Sequence, residues 1–119
     1  VNAASSSAGP AALRTAKRER LSAAGAAEVI VSAEEDVAGR VRELTGGRGA
    51  EFVFDAVAGP GVREPARAVA ADGTLFLRGA QSGQPTPYPW FELDMPALNM
   101  RTFTMLEITR DPERMRRAR

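Results

Sequence analysis

The chain has 119 residues, 44% of them hydrophobic, enough for one modest core and too few for two independent globular units. Sixteen Lys and Arg against fifteen Asp and Glu leave a formal charge of +1, so bulk charge supplies no general attraction to nucleic acid or to acidic membranes. There is no cysteine and no histidine, which excludes disulfides, thiol nucleophiles, imidazole acid–base catalysis and Cys/His zinc sites.

No apolar run approaches the roughly 20 residues of a membrane span, and Val1 to Ser5 has neither the basic nor the apolar region of a signal peptide. The expectation is a cytoplasmic protein without membrane or nucleic-acid partners. Arg110, Arg114, Arg116, Arg117 and Arg119 form a basic cluster, but no aromatic platform is interleaved with it, so a solvated helix face explains it better.

Along the chain, short β-branched or aromatic runs alternate with Ala/Arg/Glu-rich runs and Gly-rich turns, the pattern of parallel β/α units. Ala16 to Ala24 reads as a helix with Gly25 where a left-handed cap residue belongs, and Glu28 to Val31 then reads as a buried strand. Ser32 and Glu35 have the spacing of a capping box. Val37, Val41 and Leu44 follow at helical spacing up to Gly46 and Gly47.

Glu51 to Val57 is the clearest strand, apolar in its middle as expected where helices cover both faces of a sheet. It ends at Ala58-Gly59-Pro60-Gly61. A short helix around Pro65 to Ala70 accepts its proline in the first turn only, and Asp72-Gly73 turns the chain into a strand over Thr74 to Leu77. The loop Gly79 to Gly83 follows. Pro85, Pro87, Pro89 and Pro96 exclude a continuous helix over that stretch, where Trp90 and Phe91 offer something to bury. Thr102 to Ile108 reads as another strand, and Asp111-Pro112-Glu113 opens a final helix.

Ala4, Ser6 and Gly9 occupy the three glycine positions of G-x-G-x-x-G, ahead of Pro10-Ala11-Ala12-Leu13, which suits a helix start. Small residues there let a backbone turn approach a pyrophosphate held at the helix N-terminus, although an ordinary small-residue turn gives the same pattern. The whole series is more specific. Ala3 to Gly9, Leu21-Ser22-Ala23-Ala24-Gly25-Ala26, Leu44-Thr45-Gly46-Gly47-Arg48-Gly49-Ala50, Phe52-Val53-Phe54-Asp55, Asp72-Gly73-Thr74-Leu75 and Gly79-Ala80 together resemble the cofactor-binding domain of medium-chain dehydrogenases, especially quinone oxidoreductase-like members.

That resemblance implies a Rossmann-like α/β domain, a mostly parallel sheet flanked by helices, which binds NADP(H), with NAD as the alternative, at the carboxyl ends of its strands. It implies hydride transfer to a quinone, an enone or a carbonyl, the substrate lying against a separate catalytic domain. Ser6, Ser7, Ala8 and Gly9 would meet the pyrophosphate, Arg14, Lys17 and Arg18 the adenosine phosphate, Val57 and Ala58 the ribose, and Gly79, Ala80 and Ser82 the nicotinamide. For the Arg14, Lys17 and Arg18 trio a solvated helix face is the other reading, and for Gly79 to Gly83 a plain turn. Asp55, at a strand end, reads as a cap on the following turn rather than as a catalytic acid. No catalytic residue and no metal ligand is expected.

The pattern departs from the family between Leu13 and Leu21, where the end of a long helix, a second strand and a turn would stand. Residues 1–119 are therefore expected to form a single partial dinucleotide-binding domain, incomplete and prone to self-association, turning over a small-molecule substrate only with the missing domain. The alternative is a non-catalytic remnant or interaction module that retains the α/β core.

Overall fold

A computed structural model of the protein describes residues 2–3, 11–94 and 96–118. The expectations for Ser6, Ser7, Ala8 and Gly9 lie outside the described residues. Among the described residues four strands, β1 (Asn2–Ala3), β2 (Ala50–Asp55), β3 (Val69–Leu77) and β4 (Asn99–Thr102), pair in chain order into one parallel sheet. Among the described residues six α-helices accompany them, α1 (Ala11–Ala23), α2 (Val37–Leu44), α3 (Arg63–Arg67), α4 (Trp90–Asp94), α5 (Leu106–Thr109) and α6 (Pro112–Arg117), with a 3-10 turn over Gly59–Val62. This is the expected Rossmann-like α/β arrangement, small and incomplete.

Parallel neighbours need crossover connections, and right-handed crossovers that advance in one direction put their helices on one face of the sheet. That face carries the core. Val53, Leu75 and Met100 align across β2, β3 and β4, and Val53 and Leu75 are fully buried in a cluster with Val37, Ala38 and Val41 of α2, Val62, and Ala66 of α3. The opposite face carries Phe52, Phe54 and Phe76, of which Phe52 is 54% and Phe54 36% exposed. Helices on both faces were expected; among the described residues the aromatic face remains open.

Two helix ends follow from glycine. After α1, Gly25 at φ 103° lets its own N–H reach Ser22 O at 3.1 Å and the Ala26 N–H reach Leu21 O at 3.1 Å, the two bonds of a Schellman cap. After α2, Gly46 at φ 65° brings the Gly47 N–H onto Arg42 O at 2.7 Å. The expected helix from Ala16 thus begins five residues earlier and stops where glycine predicts. The capping-box expectation is corrected: Asp36 is the N-cap of α2, and the Glu35 carboxylate accepts the Val31 N–H at 3.1 Å instead. At α6 the Asp111 carboxylate accepts the Glu113 and Arg114 N–H groups, with Pro112 in the first turn as predicted.

Glu28 to Val31 is not a strand. Among the described residues no strand lies beside it, and the Val31 carbonyl bonds locally to the Glu34 and Glu35 N–H groups. Its apolar side chains still turn inward: Val31 is buried and Ile30 packs on the core. The expected strand over Thr102 to Ile108 is corrected as well. Strand β4 ends at Thr102, and the Glu107, Ile108 and Thr109 N–H groups bond to Thr104 O, Met105 O and Met105 O, which makes α5. Local bonds outweigh β propensity there because one side of β4 has no further strand to pair with among the described residues.

The proline segment also differs from expectation, since Trp90 and Phe91 are 55% and 70% exposed while Pro89 and Leu93 are buried. The Asp72-Gly73 turn is an irregularity inside β3: Ala50 pairs with Val69, but Phe52 pairs with Thr74. Asp72 takes φ 59°, and a Cβ on Gly73 would lie 2.9 Å from Glu51 O and 2.8 Å from Ala70 O. Only glycine fits that approach without a shift.

Candidate functional site

Because the strands are parallel and in register at Ala3, Asp55, Leu77 and Thr102, the segments that follow them leave from one edge of the sheet. Ligands of open α/β sheets bind outside this edge. Two of its loops are fastened to each other by backbone bonds. The Arg78 N–H reaches Asp55 O at 2.9 Å, the Gln81 N–H reaches Ala56 O at 3.2 Å, and the Ser82 N–H reaches Val57 O at 2.9 Å. The Gly59 N–H donates to Thr86 Oγ1 at 2.8 Å. A Cβ on Gly79 would lie 2.5 Å from Ala56 O, and one on Gly59 would run into Ser82 Oγ.

Asp55 organises the first of these loops. It is 4% exposed; Oδ1 accepts the Val57 N–H at 2.9 Å and Oδ2 accepts the Ala58 N–H at 3.2 Å, the turn cap expected of it. Ala58 is held at φ 54° and ψ −155°, a region that residues with a Cβ rarely adopt.

Of the residues singled out for a cofactor, Val57, Ala58, Gly79, Ala80 and Ser82 are thus brought together on one edge. Arg14, Lys17 and Arg18 stand apart. They line a narrow cleft of about 30 Å³ against Leu21, Val29, Ile30 and Val31, where Arg14 Nε lies 3.3 Å from Glu34 Oε1 and Arg18 Nη2 3.3 Å from Glu35 Oε2. Leu21, Val29 and Ile30 form a shared wall, because they also line a second cavity of about 730 Å³ that reaches Asp55, Val57 and Ala58. Gly79, Ala80 and Ser82 line neither space.

That larger cavity was not anticipated. Val37, Val41 and Leu44 of α2 form one side of it, and Gly61, Glu64 and Pro65 add to the rim near α3. The α2 residues were read only as a helix face, and helical spacing carries no sign of a space beside it. Thr86 was likewise unmarked, since its partner Gly59 is 27 residues away.

Comparison with known proteins identifies the fold's relatives. The family model described as zinc-binding dehydrogenase matches residues 10–118. A mycobacterial quinone oxidoreductase structure is 34% identical with a TM-score of 0.73, covering 87% of this chain and 33% of its own. A mycobacterial protein solved in complex with NADPH is 33% identical with a TM-score of 0.73, covering 85% of this chain and 32% of its own. A quinone oxidoreductase of Pseudomonas syringae is 26% identical with a TM-score of 0.78, covering 86% of this chain and 32% of its own. The chain spans about a third of the length of these relatives. No functionally curated protein matches it. The matched family model and the quinone oxidoreductase structures agree with the ordered sequence motifs: the chain belongs to the zinc-binding dehydrogenase family, in the medium-chain dehydrogenase/reductase superfamily.

Proposed function

We propose that this chain is the NADP(H)-binding portion of an oxidoreductase that transfers hydride to a quinone, an enone or a carbonyl compound. The observation that carries the reading is the carboxyl edge of the sheet, where small residues of two interlocked loops, Val57-Ala58 and Gly79-Ala80, stand side by side. Small side chains there let a flat ring and a sugar lie against backbone. One of the similar solved structures was determined in complex with NADPH.

The residues fit a dinucleotide in kind: a backbone-rich edge for sugar and nicotinamide, and a helix bearing Arg14, Lys17 and Arg18 for a phosphate. NADPH, when bound, supplies the hydride. The chain's own residues orient and screen. Asp55 fixes the Val57 and Ala58 amides, and the bonds from Gln81 and Ser82 hold the second loop at constant distance from the first. Pre-set geometry of this kind lowers a barrier by reducing the ordering left for the reaction itself.

A zinc centre does not fit. The chain has no Cys or His, and among the described residues no three acidic side chains gather as a metal cage. Among the described residues no helix is long and apolar enough to cross a membrane.

Calorimetric titration with NADPH and NADH tests the reading, with Gly9→Val as the control that blocks a pyrophosphate turn. Binding of NADPH by the parent and its loss in Gly9→Val are expected; no binding of either cofactor would overturn it. The open aromatic face favours a second reading, a non-catalytic module that keeps the α/β core, and absent binding is what that reading predicts.

A further inference from the structure

The cavity of about 730 Å³ lies in the size range of small-molecule sites, and its walls are mainly aliphatic: Val29, Ile30, Val41 and Leu44 on one side, Val57 and Pro65 on the other. Among this mostly apolar surface, Asp55 is the buried acidic group. The Thr45 hydroxyl, also in the lining, is already committed, donating to Val41 O at 2.8 Å and accepting from the Gly49 N–H at 2.9 Å.

Asp55 has capacity left. Each carboxylate oxygen accepts one backbone N–H, at 2.9 and 3.2 Å, whereas a carboxylate offers about four lone-pair sites. Among the described residues no Arg or Lys forms an ion pair with it. Glu28 and Glu64, both exposed, add two further carboxylates of the same sign to the lining, and Ser32 adds a hydroxyl. An anion entering this space meets like charge in an apolar setting, which is unfavourable. A molecule with only acceptors leaves the remaining lone pairs of Asp55 unmatched, while an O–H donor satisfies one.

We propose that this cavity is a binding site for a small neutral apolar molecule bearing one hydroxyl, its apolar body held by the aliphatic walls and its hydroxyl donating to Asp55. The cavity shares Val57 and Ala58 with the edge proposed above for the cofactor's sugar, whereas Gly79, Ala80 and Ser82 do not line it, and its occupancy needs no NADPH.

The test uses the full chain without cofactor and three probes of similar size: 4-methylphenol, 4-methylanisole, which lacks the donor, and 4-methylbenzoate, which is anionic. Calorimetry and saturation-transfer NMR should show the phenol binding about tenfold more tightly than the anisole, the worth of one hydrogen bond to a charged group, and no binding of the benzoate. Asp55→Asn should remove the preference for phenol over anisole while the anisole still binds. Since that change also disturbs the amides of Val57 and Ala58, Leu44→Trp at a partly exposed wall serves as the second variant; it should fill the space and abolish binding of both probes with the circular dichroism spectrum unchanged. Equal affinity for phenol and anisole, tighter binding of the benzoate, no binding of any probe, or binding unaffected by Leu44→Trp would each overturn the proposal.

Discussion

Phe54 and Phe76 stack with their rings 10° apart and their centroids 4.9 Å apart, on the face of the sheet opposite the core. Phe52 joins them at 6.2 Å from Phe76. Aromatic area left in water on a regular sheet is a surface for association. The double variant Phe52→Thr and Phe54→Thr is expected to shift sedimentation velocity profiles toward monomer. It should change unfolding free energy by no more than about 1–2 kcal/mol, because the stack is worth about 0.5–1.5 kcal/mol. A parent chain that is already monodisperse at high concentration would contradict this.

Asp55→Ala leaves two amides without their acceptor at a site that is only 4% exposed. A loss of about 1–3 kcal/mol in urea unfolding is expected. Ala58→Gly should act in the opposite direction, by about 1 kcal/mol, because it removes a Cβ from a backbone region that disfavours one.

Gly79→Ala separates cofactor binding from folding. The added methyl group would press on Ala56 O at 2.5 Å and part the two loops, while the core beneath, built on Val53 and Leu75, stays closed. NADPH affinity is expected to fall at least about tenfold, equivalent to about 1.4 kcal/mol, with a smaller change in unfolding midpoint. Equal losses in both would mean that the loops are part of the folding unit.

Arg14 and Arg18 already hold carboxylates, Glu34 and Glu35, with which a phosphate bound at this helix would have to compete. Replacing both acids by glutamine is expected to tighten NADPH about threefold relative to NADH, since partly exposed pairs of this kind are worth only about 0.2–1 kcal/mol. The ratio of the two dissociation constants at fixed ionic strength is the measurement. An unchanged ratio would place the phosphate elsewhere.

Local chemistry made much of the fold legible. Glycines marked the ends of α1 and α2, Asp111-Pro112 marked the start of α6, and the apolar run through Val53 marked β2. Where the reading failed, the missing information was a neighbour. Glu28 to Val31 has the side chains of a buried strand, but a strand exists only with a partner, and without one the Val31 N–H turns to Glu35. Leu106 to Thr109 has strand-forming residues, yet backbone bonds to Thr104 and Met105 close a helical turn first. Residues of the candidate site were legible as small side chains at strand ends; their mutual fastening was not, because the bond from Gly59 to Thr86 and those from Gln81 and Ser82 to the first loop join segments that the sequence separates.

That fastening also governs how the protein can vary. With Ala56, Val57 and Gly59 each tied to a set partner at Gln81, Ser82 and Thr86, inserting one residue into either loop would slide every later bond out of step at once. The two loops therefore form a single unit of change: a longer turn after β2 is tolerated only with a matching alteration after β3. Libraries that randomise either loop alone will be dominated by misassembled edges, whereas grafting both together from one relative preserves the lock.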